Sequence, residues 1–289
     1  MAPFQNPESS TQNPVPRIDS HQHFWKYDTS RHGWINDEME VLKRDFLPEH
    51  LAPSLKENKI DGCVVVQADQ TEQETEFLLK LAEQNSFIKG VVGWVDFRSK
   101  KIKERLEYFS QFKNLKGFRH IVQGEPKGFL KQKDFLSGIS QLEKYNFTYD
   151  VLIYHHQLQE AIEFVKQFPN QKIVIDHLAK PDIRNNEFTN WSKGIKSLSF
   201  FENVFCKFSG FTTEADWKIW KPEDFTPYFE FILQNFGIKR LLYGSDWPVC
   251  LCASTYKSQL QLVEDFISKL SAAEKQLIMG GNAIDFYNL

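Results

Sequence analysis

Arg17-Ile18-Asp19-Ser20-His21-Gln22-His23 is the stretch on which the reading of this chain turns. It starts as a short strand pattern and ends in two histidines at i and i+2. On a strand those positions face the same side, so both imidazoles point at one place, where the strand gives way to a loop. A pair so placed can hold a metal, polarise a carbonyl or anchor a carboxylate. Two surface histidines near a polar terminus would look the same, so the segment takes its meaning from partners elsewhere in the chain.

Working outward, short β-branched runs alternate with longer helical patterns to the end of the 289 residues. Residues 60–67 (IDGCVVVQ) form a continuous apolar run and predict a buried strand. Thr71 and Glu74 predict a capping box for a helix over 72–84. Strands are expected at 89–95, 116–120, 147–153, 172–176, 204–208 and 240–243. Helices are expected at 101–112, 135–144, 157–167, loosely through 196, then at 227–236, 254–270 and 272–279. No strand pair is joined by a two-residue hairpin signal. Eight βα units within about 270 residues predict an α/β fold, a single (β/α)8 TIM-type barrel over residues 17–289 with its active site at the C-terminal ends of the strands. An open doubly wound sheet would carry a Gly-rich phosphate turn after its first strand. Here His21-Gln22-His23-Phe24-Trp25 stands in that place.

Composition sets the outer limits. Apolar residues make up 41% and charged residues 25%, as in an ordinary globular protein, and 26 phenylalanines predict an aromatic core. A net charge of −3 supplies no basic field for nucleic acid, and no apolar run reaches membrane-spanning length. Residues 1–16 are polar with four prolines and read as a flexible leader. Cys63, Cys206, Cys250 and Cys252 form no Cys-x-x-Cys pair and read as free thiols of a cytoplasmic protein.

The strand ends hold the polar residues. His21 and His23 end the first strand and Arg119-His120 the fourth. His155-His156 follow the fifth, and Asp176-His177 end the sixth with Lys180 beyond. Gly244-Ser245-Asp246-Trp247-Pro248 follows the eighth. Six of the eight histidines thus fall where a barrel would gather them on one face. Asp246, opposite His-x-His, is placed to take a proton from water or to ligate a metal, and also to serve as a turn residue before Pro248.

These segments resemble the amidohydrolase superfamily, and more narrowly the sugar-acid lactonase branch of its amidohydrolase-related family. The matching residues are Asp19 to Trp25, Gly117-Phe118-Arg119-His120, His156-Gln157-Leu158, Asp176 to Pro181, Gly244 to Val249 and Gly281-Asn282-Ala283. The resemblance implies hydrolysis of a ring ester in a polyhydroxylated lactone. Asp246 would be the general base, with His21, His23 and His177 lining the reaction centre. Arg119 would bind or polarise the substrate, and His120, His156, Trp25, Lys180 and Trp247 would complete its pocket. Where binuclear members keep a bridging ligand, this chain has Arg119, and a guanidinium cannot ligate a metal. The expectation is therefore no required metal, or one divalent ion (zinc first) on His21, His23 and Asp246. No nucleic acid or membrane partner is expected, and the oligomeric state is left open. A zinc amidohydrolase or decarboxylase on the same barrel, or a non-catalytic sugar-acid-binding barrel, are the alternative readings.

Overall fold

The structure, a computed structural model, describes residues 15–289. Apart from Val15 and Pro16, the expected leader lies outside the described residues. Eight strands form one sheet: β1 (Ile18–Gln22), β2 (Gly62–Val66), β3 (Ile88–Gly93), β4 (Leu115–His120), β5 (Thr148–Val151), β6 (Ile173–Ile175), β7 (Val204–Phe208) and β8 (Leu241–Tyr243). They lie in sequence order and every ladder is parallel. The two ends meet at one rim. There Asp246 N donates to His21 O at 2.8 Å and His23 N donates to Trp247 O at 2.7 Å. The barrel is therefore closed at its C-terminal mouth by the same segments that carry His-x-His and Asp246.

A helix follows each strand, as the alternation predicts: Pro48–Glu57, Glu72–Gln84, Ile102–Phe109, Lys133–Ile139, Leu158–Val165, Thr189–Ser199, Pro222–Phe236 and Tyr256–Phe266. Thr71 accepts from Glu74 N at 3.2 Å, but the Glu74 carboxylate turns to Ala68 N at 3.1 Å, so the capping box is half formed. The helix expected over 135–144 runs from Lys133 to Ile139, and two further departures from expectation come through proline. Pro48–Glu57 was not predicted. Its start is preorganised by Pro48 in the first turn, and it buries Leu51 and Leu55 at i, i+4 in spite of Pro53. The helix expected from 227 starts five residues earlier, at Pro222, with Lys221 N bonded to Asp224 Oδ2 at 2.8 Å.

The floor of the barrel interior is apolar. Ile18, Val64, Val66, Val92, Val174 and Leu242 pack with Phe286 and Tyr287 of the C-terminal helix Asn282–Tyr287. Among the described residues no helix is long and apolar enough to cross a membrane.

Candidate active site

At the mouth, β1 shifts register against β2 between Asp19 and Gln22. An irregularity of this kind re-aims side chains, and His21 and His23 enter the barrel with their Nε2 atoms 3.2 Å apart. Asp19 fastens this segment to the opposite rim. Its Oδ1 accepts from His21 N at 3.2 Å and Ser245 N at 2.9 Å, and its Oδ2 accepts from Tyr256 Oη at 3.1 Å. Gly244 is required here, because a Cβ would stand 2.7 Å from His21 Cβ. Asp246 follows in the left-handed region at φ +56°, a conformation costly for a residue with a side chain. Its Oδ1 lies 3.3 Å from His23 Nε2 and 3.8 Å from the Nε2 atoms of both His21 and His177.

His177 comes from an unusual turn. His177, Leu178, Ala179 and Lys180 all have positive φ, between +46° and +56°. The turn is pinned by Lys180 N donating to His177 O (2.7 Å) and by Trp191 Nε1 donating to Leu178 O (2.6 Å). Gly210, at φ +61°, leaves room for the His177 ring; a Cβ there would lie 2.3 Å from Nδ1. His177 and Lys180 at the two ends of the turn face the cavity, a place where strain is characteristically tolerated, while Leu178 and Ala179 between them are buried in the core.

Beneath the histidines lies a layer of buried charge. Lys207 Nζ bonds Asp150 Oδ2 at 2.6 Å and lies 2.9 Å from Asp176 Oδ1. Arg119 Nη1 bonds Asp176 Oδ2 at 3.2 Å, Arg119 Nη2 bonds Gln67 O, and Tyr287 Oη donates to Asp150 Oδ2 at 2.7 Å. Sequence reading gave no role to Asp150, Lys207 or Tyr287 and noted Asp176 only as a strand end. The available signal was parity: Lys207 shares a strand face with Phe205 inside an apolar run, and a lysine there needs a buried counter-charge.

This layer sets the chemistry above it. Arg119 Nη1 lies 3.3 Å from His21 Nε2, and at the far nitrogen, Nδ1, the Lys207 ammonium stands at 3.1 Å and Asp176 Oδ1 at 3.3 Å. His23 Nδ1 lies 2.7 Å from Val66 O and donates to it, leaving its Nε2 bare. Burial holds the pKa of His21 well below the ordinary histidine value despite Asp176, and that of His177 likewise despite Asp246, so both rings are neutral. Burial alone would raise Asp246, but its surroundings, the Lys180 ammonium among them, outweigh it and hold the carboxyl below its usual range, hence ionised at neutral pH.

His21 Nε2, His23 Nε2 and Asp246 Oδ1 form one candidate metal-holding group. His23 is backed on its far nitrogen by Val66 O, and His21 by Asp176 and Lys207 together, contacts that fix the ring orientations of histidine ligands. The donor set fits one divalent ion. A second grouping, His21, Asp176 and His177, shares His21, and its carboxylate is already engaged by Lys207 and Arg119.

Asp246, His23, His177 and Arg119 face a cavity of about 480 Å³, with Lys180, Glu214 and Tyr154 on one wall and Trp34 and Trp217 among its aromatic residues. The volume suits a small ligand. Other expected pocket residues lie elsewhere. Trp25 is fully buried, donating Nε1 to Arg44 O (3.0 Å) and packing on Phe46. Trp247 packs edge-on to Phe24 and Phe46. His120 is turned away, bonded to Glu125 at 2.8 Å and to Trp94 and stacked on Phe129. His156 is exposed and stacks beside Tyr154. Period-two alternation aims these residues correctly along the strands but says nothing of how loops beyond them fold back. Glu214, Trp34 and Trp217 reach the cavity from such loops and went unpredicted.

A (β/α)8 barrel with His-x-His after β1, a histidine after β6 and an aspartate after β8, all meeting in one cavity, defines a barrel of the amidohydrolase class. The chain belongs to the amidohydrolase family: the family described as Amidohydrolase matches residues 18–289. An L-fucono-1,5-lactonase of Burkholderia multivorans is 38% identical over 94% of this chain and 96% of its own length. An L-fucono-1,5-lactonase of Burkholderia ambifaria is 32% identical over the same shares. A crystal structure of a Burkholderia multivorans amidohydrolase with bound zinc superposes with a TM-score of 0.92 at 37% identity, covering 95% of this chain and 99% of that one.

Proposed function

We propose that this protein hydrolyses the ring ester of a sugar-derived aldonolactone of the L-fucono-1,5-lactone type. The observation that carries the reading is the Asp246 carboxylate, 3.3–3.8 Å from three imidazole Nε2 atoms and facing one cavity with Arg119. The similarity to two L-fucono-1,5-lactonases over nearly the whole chain supports the substrate class.

Asp246 acts as general base, taking a proton from the water that attacks the lactone carbonyl. The carbonyl oxygen gathers charge as the tetrahedral centre forms. The Arg119 guanidinium, held by Asp176 and Gln67 O, is a fixed donor for it and needs no reorganisation. The neutral His177 ring orders the water and ester beside Asp246. Asp246 then returns its proton to the leaving alkoxide, and the product is the open-chain hydroxy acid. His21, His23 and Asp246 would hold one divalent ion, zinc first, which supplies Lewis acidity at the carbonyl. Arg119 Nη1, 3.3 Å from His21 Nε2, places a permanent positive charge where a second ion would need a ligand, which supports one ion rather than two. We read residues 17–289 as one catalytic domain, and the four free cysteines support a reducing compartment, the cytoplasm.

A pH-indicator screen over aldonolactones, with and without chelator, tests the reading. Acid release above the spontaneous rate is expected with an L-fucono-1,5-lactone-type substrate. No acceleration on any aldonolactone, with or without added zinc, overturns it.

A further inference from the structure

One wall of the cavity holds a charged pair, Lys180 and Glu214, set apart from the reacting groups. Lys180 Nζ lies 3.4 Å from Glu214 Oε1, and each side chain is only 17% exposed. That separation is long for an ammonium–carboxylate hydrogen bond, which closes to about 2.7–2.9 Å. Both groups are nonetheless held firmly. Lys180 ends the left-handed turn that begins with His177, its carbonyl accepts from His155 Nδ1 at 3.0 Å, and its ammonium sits 5.3 Å from the centre of the Tyr154 ring. Glu214 ends the 3-10 turn Thr212–Glu214, whose carbonyl accepts from Arg184 N at 3.0 Å and whose Thr212 Oγ1 donates to Gln259 at 2.9 Å. Trp217 Nε1 donates to Thr213 O at 2.9 Å, which fixes an aromatic face beside the pair.

From this geometry we infer that Lys180 and Glu214 together read hydroxyl groups of the substrate remote from its reacting carbonyl, making the pair the determinant that selects polyhydroxylated lactones over bare ones. The inference rests on the lactonase reading. An anionic substituent would be drawn by Lys180 and repelled by Glu214. An apolar substituent would strip water from both charges and return nothing. A hydroxyl accepts from the ammonium and donates to the carboxylate at once, and neighbouring hydroxyls do so in tandem. Because His177 and Lys180 sit at the two ends of one turn, the position of the hydroxyls is tied to that of the ester. The Glu214 carboxyl is raised by burial and by the Asp246 charge, against the pull of Lys180, so it keeps a strong appetite for a donor.

Glu214→Gln and Lys180→Met, each in the full chain, test this with two six-membered substrates: an L-fucono-1,5-lactone and δ-valerolactone, the same ring without hydroxyls. For each variant, kcat/KM on the sugar lactone should fall about 10–100-fold relative to δ-valerolactone, the worth of a hydrogen bond to a charged group, with most of the change in KM. If δ-valerolactone turns over too slowly to follow, its inhibition constant against the sugar lactone is read instead, and it should stay within about 3-fold of wild type. Equal losses on both substrates, with a matching fall in Tm, would mark the pair as structural and overturn the inference. So would unchanged kcat/KM on the sugar lactone, or a wild type that opens both rings equally well. A wild type that opens neither ring instead brings down the lactonase reading itself.

Discussion

At the floor of the barrel, Val64, Val66, Val92, Val174 and Leu242 close on Phe286 and leave no polar group to satisfy. Two residues further along β6 and β7 the same inward face carries Asp176 above Val174 and Lys207 above Phe205, joined by Asp150 and Arg119. The change from oil to charge takes one repeat of the strand, about 7 Å. The floor holds the barrel by apolar burial and tolerates loss in proportion to volume. The charged layer above it is cut off from water by that floor, so each member depends on the others and loss of one leaves a buried charge uncompensated.

Asp246→Asn should have the largest effect. The amide keeps size and one acceptor but cannot take a proton, so kcat should fall about 10²–10⁴-fold with little change in Tm. Full activity with normal melting would reduce Asp246 to a turn residue, a role asparagine fills well. Lys207→Met should come next and act on stability. Asp150 and Asp176 would lose their shared cation, at a cost of about 3–5 kcal/mol in denaturant unfolding. A loss below about 1 kcal/mol would contradict the picture of an interdependent layer.

Arg119→Met touches both roles and should lower kcat and kcat/KM together, by about 10–100-fold as for other charge-assisted hydrogen bonds, because the donor it removes acts on the developing oxyanion. Val64→Ala tests the floor: two methyl carbons at ~0.8 kcal/mol each, plus a cavity, predict about 2 kcal/mol of destabilisation. Here kcat per folded molecule should be unchanged, and a large fall in kcat would mean that floor and site are not separable.

The smallest effect concerns Glu74, a buried carboxylate whose nearest cation, Arg31, stands off at 3.7 Å. Burial pushes its pKa from 4.5 up to about 7. A raised carboxyl pKa binds more protons in the folded state, so stability falls as pH rises from about 4.5 to about 7 and stays reduced above it. Glu74→Gln should therefore melt higher than wild type at pH 8 and match it at pH 4. A gain of about 1 kcal/mol would appear as roughly 2–4 °C. Equal melting at both pH values would show that Glu74 is ionised at no cost.

Strand alternation, helix caps and the positions of histidines at strand ends were legible without coordinates because they follow from local periodicity, and they foretold the eight parallel strands and the convergence of His21, His23, His177, Arg119 and Asp246. Resemblance to the amidohydrolases likewise rested on short contiguous motifs. What only the tertiary structure decided lies across the barrel or beyond the strands. Lys207 acquires meaning from Asp150 on β5 and Asp176 just past β6, dozens of residues away. Trp25, Trp247, His120 and His156 sit next to motif residues, yet loop packing turned them into wall or surface, while Glu214 and Trp217 reached the cavity from a loop with no periodic signal. Period two tells which way a strand residue points. Which buried charge meets which counter-charge, and which loop folds over the mouth, is settled only when eight separate segments close into one ring.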